Sequence, residues 1–250
     1  MTALVHAELL KLRTTRLWVV LLIVGALLAG ASAALLLAIA GSVQNGTPVP
    51  DIRTVADIRS LVHGSADLLV TLALVLGATM STAEFRYGTA GITYLAESRR
   101  MRVVTAKVLA SIPVGALFGS VGAILPLIVA AVWFAAEGKS LPFDASVIGA
   151  VGGVMAKAAF AAAFGAAVGA ALRGQVAAIV GLLVFQLIAE PLVGVLLPSV
   201  ARWLPFSGAA AAFSSSRSEL FSRPQAAVLM LAYVVAWWGF AAWLERRRDV

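Results

Sequence analysis

Four groups of residues in this 250-residue chain have types and spacings that could do chemistry. His63, Gly64 and Ser65 followed by Asp67 bring a base, a hydroxyl and a carboxylate into a short stretch, the ingredients of hydroxyl nucleophilic catalysis. Gly138, Lys139 and Ser140 spell the end of a phosphate-binding loop, whose amides and lysine would hold phosphate. Lys157, Gln186 and Glu190 are polar groups within long apolar runs, where such groups are costly and commonly functional. Finally, a charged stretch from Glu84 to Lys107 separates two apolar runs.

The first two groups lose their chemical reading on inspection. Adjacent side chains on a helix point in different directions, so His63 and Ser65 would need a facing helix to form a dyad. A helix start with Ser65 near the cap and Asp67 in the first turn accounts for the same residues. The phosphate loop lacks its first glycine, since Trp133 stands five residues before Gly138, and no strand precedes it. With no cysteine and two histidines, His6 and His63, thiolate chemistry is excluded and a histidine metal centre is unsupported. Asn45, Gly46 and Thr47 form a glycosylation sequon of a kind that arises often by chance. Alanine richness and the absence of cysteine suggest a GC-rich bacterium, where it would be silent.

The elements that must position the rest are set by composition. Hydrophobic residues make up 61% of the chain, charged residues 12%, and mean hydropathy is +0.98, so too few polar residues exist to clothe a water-soluble globule. Runs long enough to cross about 30 Å of hydrocarbon as helices lie near residues 17–40, 64–83, 103–134, 147–172, 176–197 and 225–244. None alternates with the period of a barrel strand. The expected fold is an all-α integral membrane protein: one transmembrane domain over residues 1–250 with six transmembrane helices.

Orientation follows from lysine and arginine. With the N-terminus inside, twelve of the 19 fall on the inner side (Lys11, Arg13, Arg16, Arg86, Arg99, Arg100, Arg102, Lys107, Arg173, Arg246, Arg247, Arg248) and six outside (Arg53, Arg59, Lys139, Arg202, Arg217, Arg223), with Lys157 in a span. Both termini are therefore expected in the cytoplasm. The net charge of +7 then reads as a topology signal and an attraction to anionic headgroups; no nucleic-acid partner is expected. The first run is too long for the apolar region of a cleaved signal peptide, about 7–15 residues. Residues 1–16 put Val5, Leu9 and Leu12 on one stripe with Lys11 and Arg13 off it, which suits an interfacial elbow or a solvated basic flank.

Counting depth from each end places Lys157 and Glu190 within one or two turns of each other if their helices are antiparallel, so the spacing predicts that they pair. Such a pair either lines a polar substrate path or fixes helix register. In the fourth span Gly149, Gly153, Ala158, Ala162, Gly165 and Gly169 form a small-residue stripe that allows close helix approach, within the bundle or at a dimer seam. Pro191, Pro198 and Pro205 break the chain after Glu190, predicting a re-entrant region between the fifth and sixth spans.

The stretch Glu84-Phe85-Arg86-Tyr87-Gly88-Thr89, continuing through Tyr94-Leu95-Ala96-Glu97-Ser98-Arg99-Arg100 to Lys107, resembles the permease subunits of type-2 ATP-binding cassette (ABC) exporters. In that family an acidic residue, a short interval and Gly-Thr precede a segment ending in Ser-Arg and then a lysine. The proline common before Ser-Arg is replaced here by Ala96 and Glu97. The opening Glu8-Leu9-Leu10-Lys11-Leu12-Arg13 is similar to many bacterial members.

The resemblance implies that residues 84–107 form a cytoplasmic coupling loop whose helix rests on a separate ATPase. Glu84, Phe85, Arg86, Gly88, Thr89, Arg99, Arg100 and Lys107 would then be its working residues. It also implies six spans with an amphipathic N-terminal elbow and a re-entrant region. The expected partners are a cytoplasmic ABC ATPase and a second copy of this permease or a similar one in a bacterial plasma membrane. The chain would bind no cofactor itself, ATP being held by the ATPase, and would not be an enzyme. Read without the resemblance, the loop is a turn at Gly88 and a short amphipathic piece with basic headgroup anchors. The rival function is a stand-alone proton-coupled transporter using Lys157, Glu190 and Asp67 as a relay.

Overall fold

The computed structural model describes residues 1–44, 47–49, 51–97, 99–214 and 220–247, and these form a bundle of α-helices. Helix α1 (Thr2–Thr14) leads into α2 (Leu17–Ile39), and a two-residue antiparallel ladder of β1 (Val43–Gln44) and β2 (Thr47–Pro48) follows. Next come α3 (Val55–Arg86), the short α4 (Ala90–Ala96), α5 (Arg100–Ala136) and α6 (Ala145–Leu172). Helix α7 (Gln175–Val184) passes through a π-helical turn (Phe185–Ala189) into α8 (Glu190–Leu196). After α9 (Pro198–Ala201), a π-helix (Pro205–Ala210) and a 3-10 turn (Ala211–Phe213), α10 (Arg223–Arg247) closes the fold. Six helical stretches are long and apolar enough to cross a membrane: α2, α3, α5, α6, the continuous α7 to α8 stretch, and α10. This is the architecture of a multi-pass integral membrane protein.

Helix α3 begins earlier than the apolar run suggests. Thr54 accepts a hydrogen bond from the Asp57 amide at 3.2 Å while the Asp57 carboxylate accepts from the Thr54 amide at 2.7 Å, a reciprocal capping box. The second span therefore starts at Val55 instead of near residue 64, and His63, Gly64 and Ser65 lie inside it, not at its cap. The sequon residues Asn45 and Gly46 are outside the described residues, as are Ser98 of the loop motif and Arg217 and Arg248 of the charge pattern.

Helices α3, α5 and α6 make the centre. Over their most apolar windows α3 is 67% buried and α6 56%, whereas α2, α7 to α8 and α10 are each 17% buried, so those three face outward. Glycines set the distance between the central helices, most tightly between α3 and α6. A Cβ at Gly77 of α3 would stand 2.0 Å from the Ala162 carbonyl oxygen of α6, and one at Gly165 of α6 would stand 2.2 Å from the Leu74 carbonyl oxygen of α3. The stripe in the fourth span is thus largely an internal seam, with Gly153 against the Phe213 carbonyl in the same way. Beside it, Phe206 packs its ring on Phe160 and Phe164 at centroid distances of 5.6 and 5.7 Å, tying the segment after α8 to α6.

Because the obstruction at Gly165 is backbone, relaxation is limited. Gly165→Val should lower unfolding stability in detergent by about 3 kcal/mol or more. Gly181→Ala, in open space on α7, should change it by less than about 0.5 kcal/mol. Equal unfolding midpoints for the two variants would contradict the close seam.

Candidate functional site

The end of the bundle that carries α1 and the C-terminal part of α10, called here the terminal end, is where α4 hangs between α3 and α5. Helix α3 stops at Tyr87, and Gly88 takes a positive φ of 70°, a conformation that suits glycine. The Thr89 amide then donates to the Glu84 carbonyl at 2.9 Å, and α4 starts at once. Thr89 occupies the cap position, but its hydroxyl makes no capping bond. Glu84, Phe85 and Arg86 form the last turn of α3, and Arg100 and Lys107 belong to α5, so the loop proper is shorter than residues 84–107.

Two ion networks hold α4. In the first, Lys107, only 3% exposed, contacts Glu84 at 2.9 Å and Glu8 of α1 at 3.1 Å. Lys11 of α1 bonds Glu8 at 2.6 Å and also pairs with Glu84. The Thr93 hydroxyl of α4 donates to Glu84 at 3.0 Å. In the second, Glu245 of α10 receives Arg173 through two nitrogens at 2.9 and 2.7 Å, a bidentate fork. The Tyr94 hydroxyl of α4 donates to the same carboxylate at 3.0 Å, and Arg100 donates to the Glu245 carbonyl at 2.8 Å. Arg173 also lies over the Phe85 ring at 5.0 Å. Adjacent residues of α4 thus grip two buried carboxylates that belong to different helices.

The electrostatics favour these states outside the spans. Burial opposes the charge of Lys11, but its hydrogen bonds to Glu8 and Glu84 and their negative charges prevail and raise its pKa above 10.5. Burial and the Glu245 charge raise Tyr94, keeping its phenol a donor. The hydrogen bond to Glu245 raises Arg173 against the opposing effect of burial. What α4 shows to the outside is apolar: Ile92 and Leu95 are 70% and 88% exposed, as is Tyr87 just before it at 72%, while Ala90 is buried. Arg99 is exposed beyond it, and Arg86 donates to Gln175 at 3.1 Å.

A second polar group lies at mid-depth. Helix α3 is about 48 Å long and Asp67 and Thr71 lie about 18 and 24 Å from its start, near the middle of a bilayer centred on it. Lys157 of α6 pairs with Asp67 at 2.6 Å, and Gln186 donates to Thr71 at 3.0 Å. The expected Lys157–Glu190 pair does not form. Glu190 is 1% exposed and accepts from the Phe206 amide at 3.1 Å and from the Ser207 amide and hydroxyl at 2.6 Å, capping the π-helix that starts at Pro205. Each has another partner within reach: Asp67 holds Lys157, and unpaired amides at a helix start compete strongly for the Glu190 carboxylate. The Asp67 side chain is 61% exposed, so this charge faces out of the bundle. His63, one turn away and buried, has no partner for Nδ1 among the described residues.

The discounted motifs stay without chemistry. Lys139 is held by Glu137 at 2.6 Å in the turn between α5 and α6. Among the described residues no three His, Asp or Glu side chains are placed to hold a metal ion. No protein-family model matches the chain, and no curated protein matches it either. Sequence reasoning missed Glu8, Thr93, Tyr94 and Glu245 as network members. The available signal was a set of isolated charges near apolar run ends, namely Glu8, Lys11, Glu84 and Lys107, with balanced signs.

Tyr94→Phe should remove one hydrogen bond to a charged acceptor, about 1.5–3 kcal/mol, and speed amide hydrogen exchange in α4, whereas Thr89→Ala should leave it unchanged. Since the folded-state pKa values of Lys11 and Tyr94 are raised, the folded form holds more protons above their ordinary values. Their contribution is therefore full at neutral pH and falls as pH climbs beyond about 10. Exchange in α4 that is insensitive to Tyr94→Phe and to alkaline pH would contradict the anchoring. At mid-depth, Lys157→Asp combined with Asp67→Lys should recover part of the stability lost in either single reversal, a test of direct pairing.

Proposed function

We propose that this chain is the membrane-spanning permease subunit of a bacterial ABC exporter, driven by a separate cytoplasmic ATPase. The observation that carries the reading is α4: a short helix at the end of the bundle richest in basic residues, apolar on its outward face and tied by Thr93 and Tyr94 to carboxylates on two different spans. A headgroup anchor needs no such double tie. A strut that receives force from a soluble partner does. Exposed Ile92 and Leu95 offer that partner an apolar contact, and the networks would pass its motion to α1, α3 and α5 on one side and to α6 and α10 on the other.

In this reading the terminal end lies in the cytoplasm of a bacterial cell, α1 serves as the interfacial elbow, and the segment from Pro198 to Phe213 is re-entrant. The partner binds ATP, and the chain itself hydrolyses nothing. The exposed Asp67, with Lys157, Thr71 and Gln186 beside it, cannot rest against lipid without large cost. It suits a polar path for an amphipathic substrate, closed by a second copy or a similar permease. The same ionisable pair with His63 nearby supports the second reading, a proton-coupled transporter; Glu190, bound to backbone amides, is not available to that relay.

Ile92→Asp with Leu95→Asp should leave the protein folded, since both side chains are exposed, yet reduce ATPase co-purification by ~10-fold or more, the loss of about 1.4 kcal/mol. In the same cells a cysteine placed at Leu95 should resist an impermeant thiol reagent while one at Ser140 reacts. Export that persists in the double variant with no ATPase present would move the assignment to the proton-driven reading.

A further inference from the structure

A cavity of about 790 Å³ lies at the terminal end between the α1–α2 junction, the last turns of α3, α4 and the start of α7. Its volume is in the range of small-molecule sites, about 300–1,000 Å³. The lining is graded. Arg16, Arg86 and Thr89 stand toward the loop end, and Leu76 and Met80 lie deeper along α3. From Arg86 back to Leu76 the helix rises about 15 Å, which is the thickness of one leaflet's hydrocarbon, half of about 30 Å. At the other wall, Leu17 starts an exposed apolar stripe continued by Val20, Val24 and Leu27 on α2.

The charges select the ligand. Glu8 and Glu84 face the cavity but are matched by Lys11 and Lys107. Arg86 contacts the neutral Gln175 and the Tyr87 ring, and among the described residues no carboxylate pairs with Arg86 or Arg16. Two guanidinium groups are therefore left over at the polar end, with the Thr89 hydroxyl uncommitted to a cap. A guanidinium fork matches phosphate oxygens in geometry and charge.

We propose that this cavity is a binding site for an anionic phospholipid of the leaflet at the terminal end. Arg16 and Arg86 hold its phosphate, and an acyl chain passes Met80 and Leu76 toward mid-membrane. Such a lipid would bridge α1, α3 and α4, the elements joined by the Glu84 network. The proposal rests on the chain's being in a bilayer and not on its having an ATPase partner, so the two stand or fall separately.

The test uses the full chain purified in detergent and stripped of lipid, with bound lipid counted by native mass spectrometry. Phosphatidylglycerol should bind in preference to phosphatidylcholine of the same chains. Arg16→Gln with Arg86→Gln should weaken phosphatidylglycerol binding by ~10-fold or more, since each basic residue near a membrane surface contributes about 1 kcal/mol. The matched pair Arg13→Gln with Arg102→Gln, outside the cavity, should keep most of the binding. Met80→Trp, which fills the apolar end without touching the head, should weaken both lipids, showing that a chain enters. The proposal is overturned if the two lipids bind equally, if the control pair loses as much as the cavity pair, or if Met80→Trp has no effect. It is equally overturned if millimolar inorganic phosphate displaces the lipid, which would make this a site for free phosphate.

Discussion

A bilayer offers no water to satisfy a polar group, so a charge buried in this bundle needs a partner in the protein. That constraint explains where the charges are. Glu190 is completed by two backbone amides and a hydroxyl, Lys107 by two carboxylates, and Glu245 by a guanidinium and a phenol. Each solution joins segments far apart in sequence. The apolar seam of α3 and α6 brings helices together, but it is non-directional along their length, whereas these polar contacts fix which residue meets which. Removing one member of such a group leaves a buried charge behind, at a cost of about 3–5 kcal/mol.

At the terminal end the same constraint gives α4 its peculiar attachment. A seven-residue helix is too short to be stable alone, and its most exposed side chains are apolar. Its order comes from Thr93 and Tyr94, neighbours in sequence that point to different carboxylates. A displacement of α4 therefore cannot be absorbed by one contact; it acts on α3 and α10 together. This supports the reading of α4 as a coupling element more directly than the basic character of the loop does, since the arginines that suggested it behave differently. Arg100 is built into the network, whereas Arg99 is exposed and Arg86 donates to the neutral Gln175.

Span number and approximate position were legible because hydropathy is a one-dimensional property of the chain. The start of α3 was not, since Val55 to His63 is too polar to read as a span; its signal was the Thr54–Asp57 capping box just before it. The turn at Gly88 was legible from residue type. Partner identity was harder. Depth along a helix can be counted, and Lys157 was placed at mid-depth correctly, but azimuth depends on crossing angles and on local winding. Asp67 was read as part of a helix start and so was not considered as its first partner. Glu245 escaped notice because, beside Arg246 and Arg247, it looks like one charge in a solvated tail, although it is 1% exposed.

Local winding has one further consequence, at the π turn between α7 and α8. There the Glu190 amide donates to the Phe185 carbonyl, five residues back, so the turn holds one residue more than an α-helix would. The wider turn also precedes Pro191, whose ring would crowd the carbonyl four residues earlier in regular helix. One residue corresponds to about 100° of rotation. A single-codon deletion in Phe185–Ala189 would close the wide turn to a regular one and leave Glu190 facing the same side, whereas a single-codon insertion elsewhere in α7 would swing it about 100° around the axis, away from the amides of Phe206 and Ser207, while leaving hydropathy almost unchanged. Length changes that are silent in composition are therefore not equivalent here: the wide turn can give up its extra residue without re-aiming the carboxylate, but an added residue outside it re-aims Glu190.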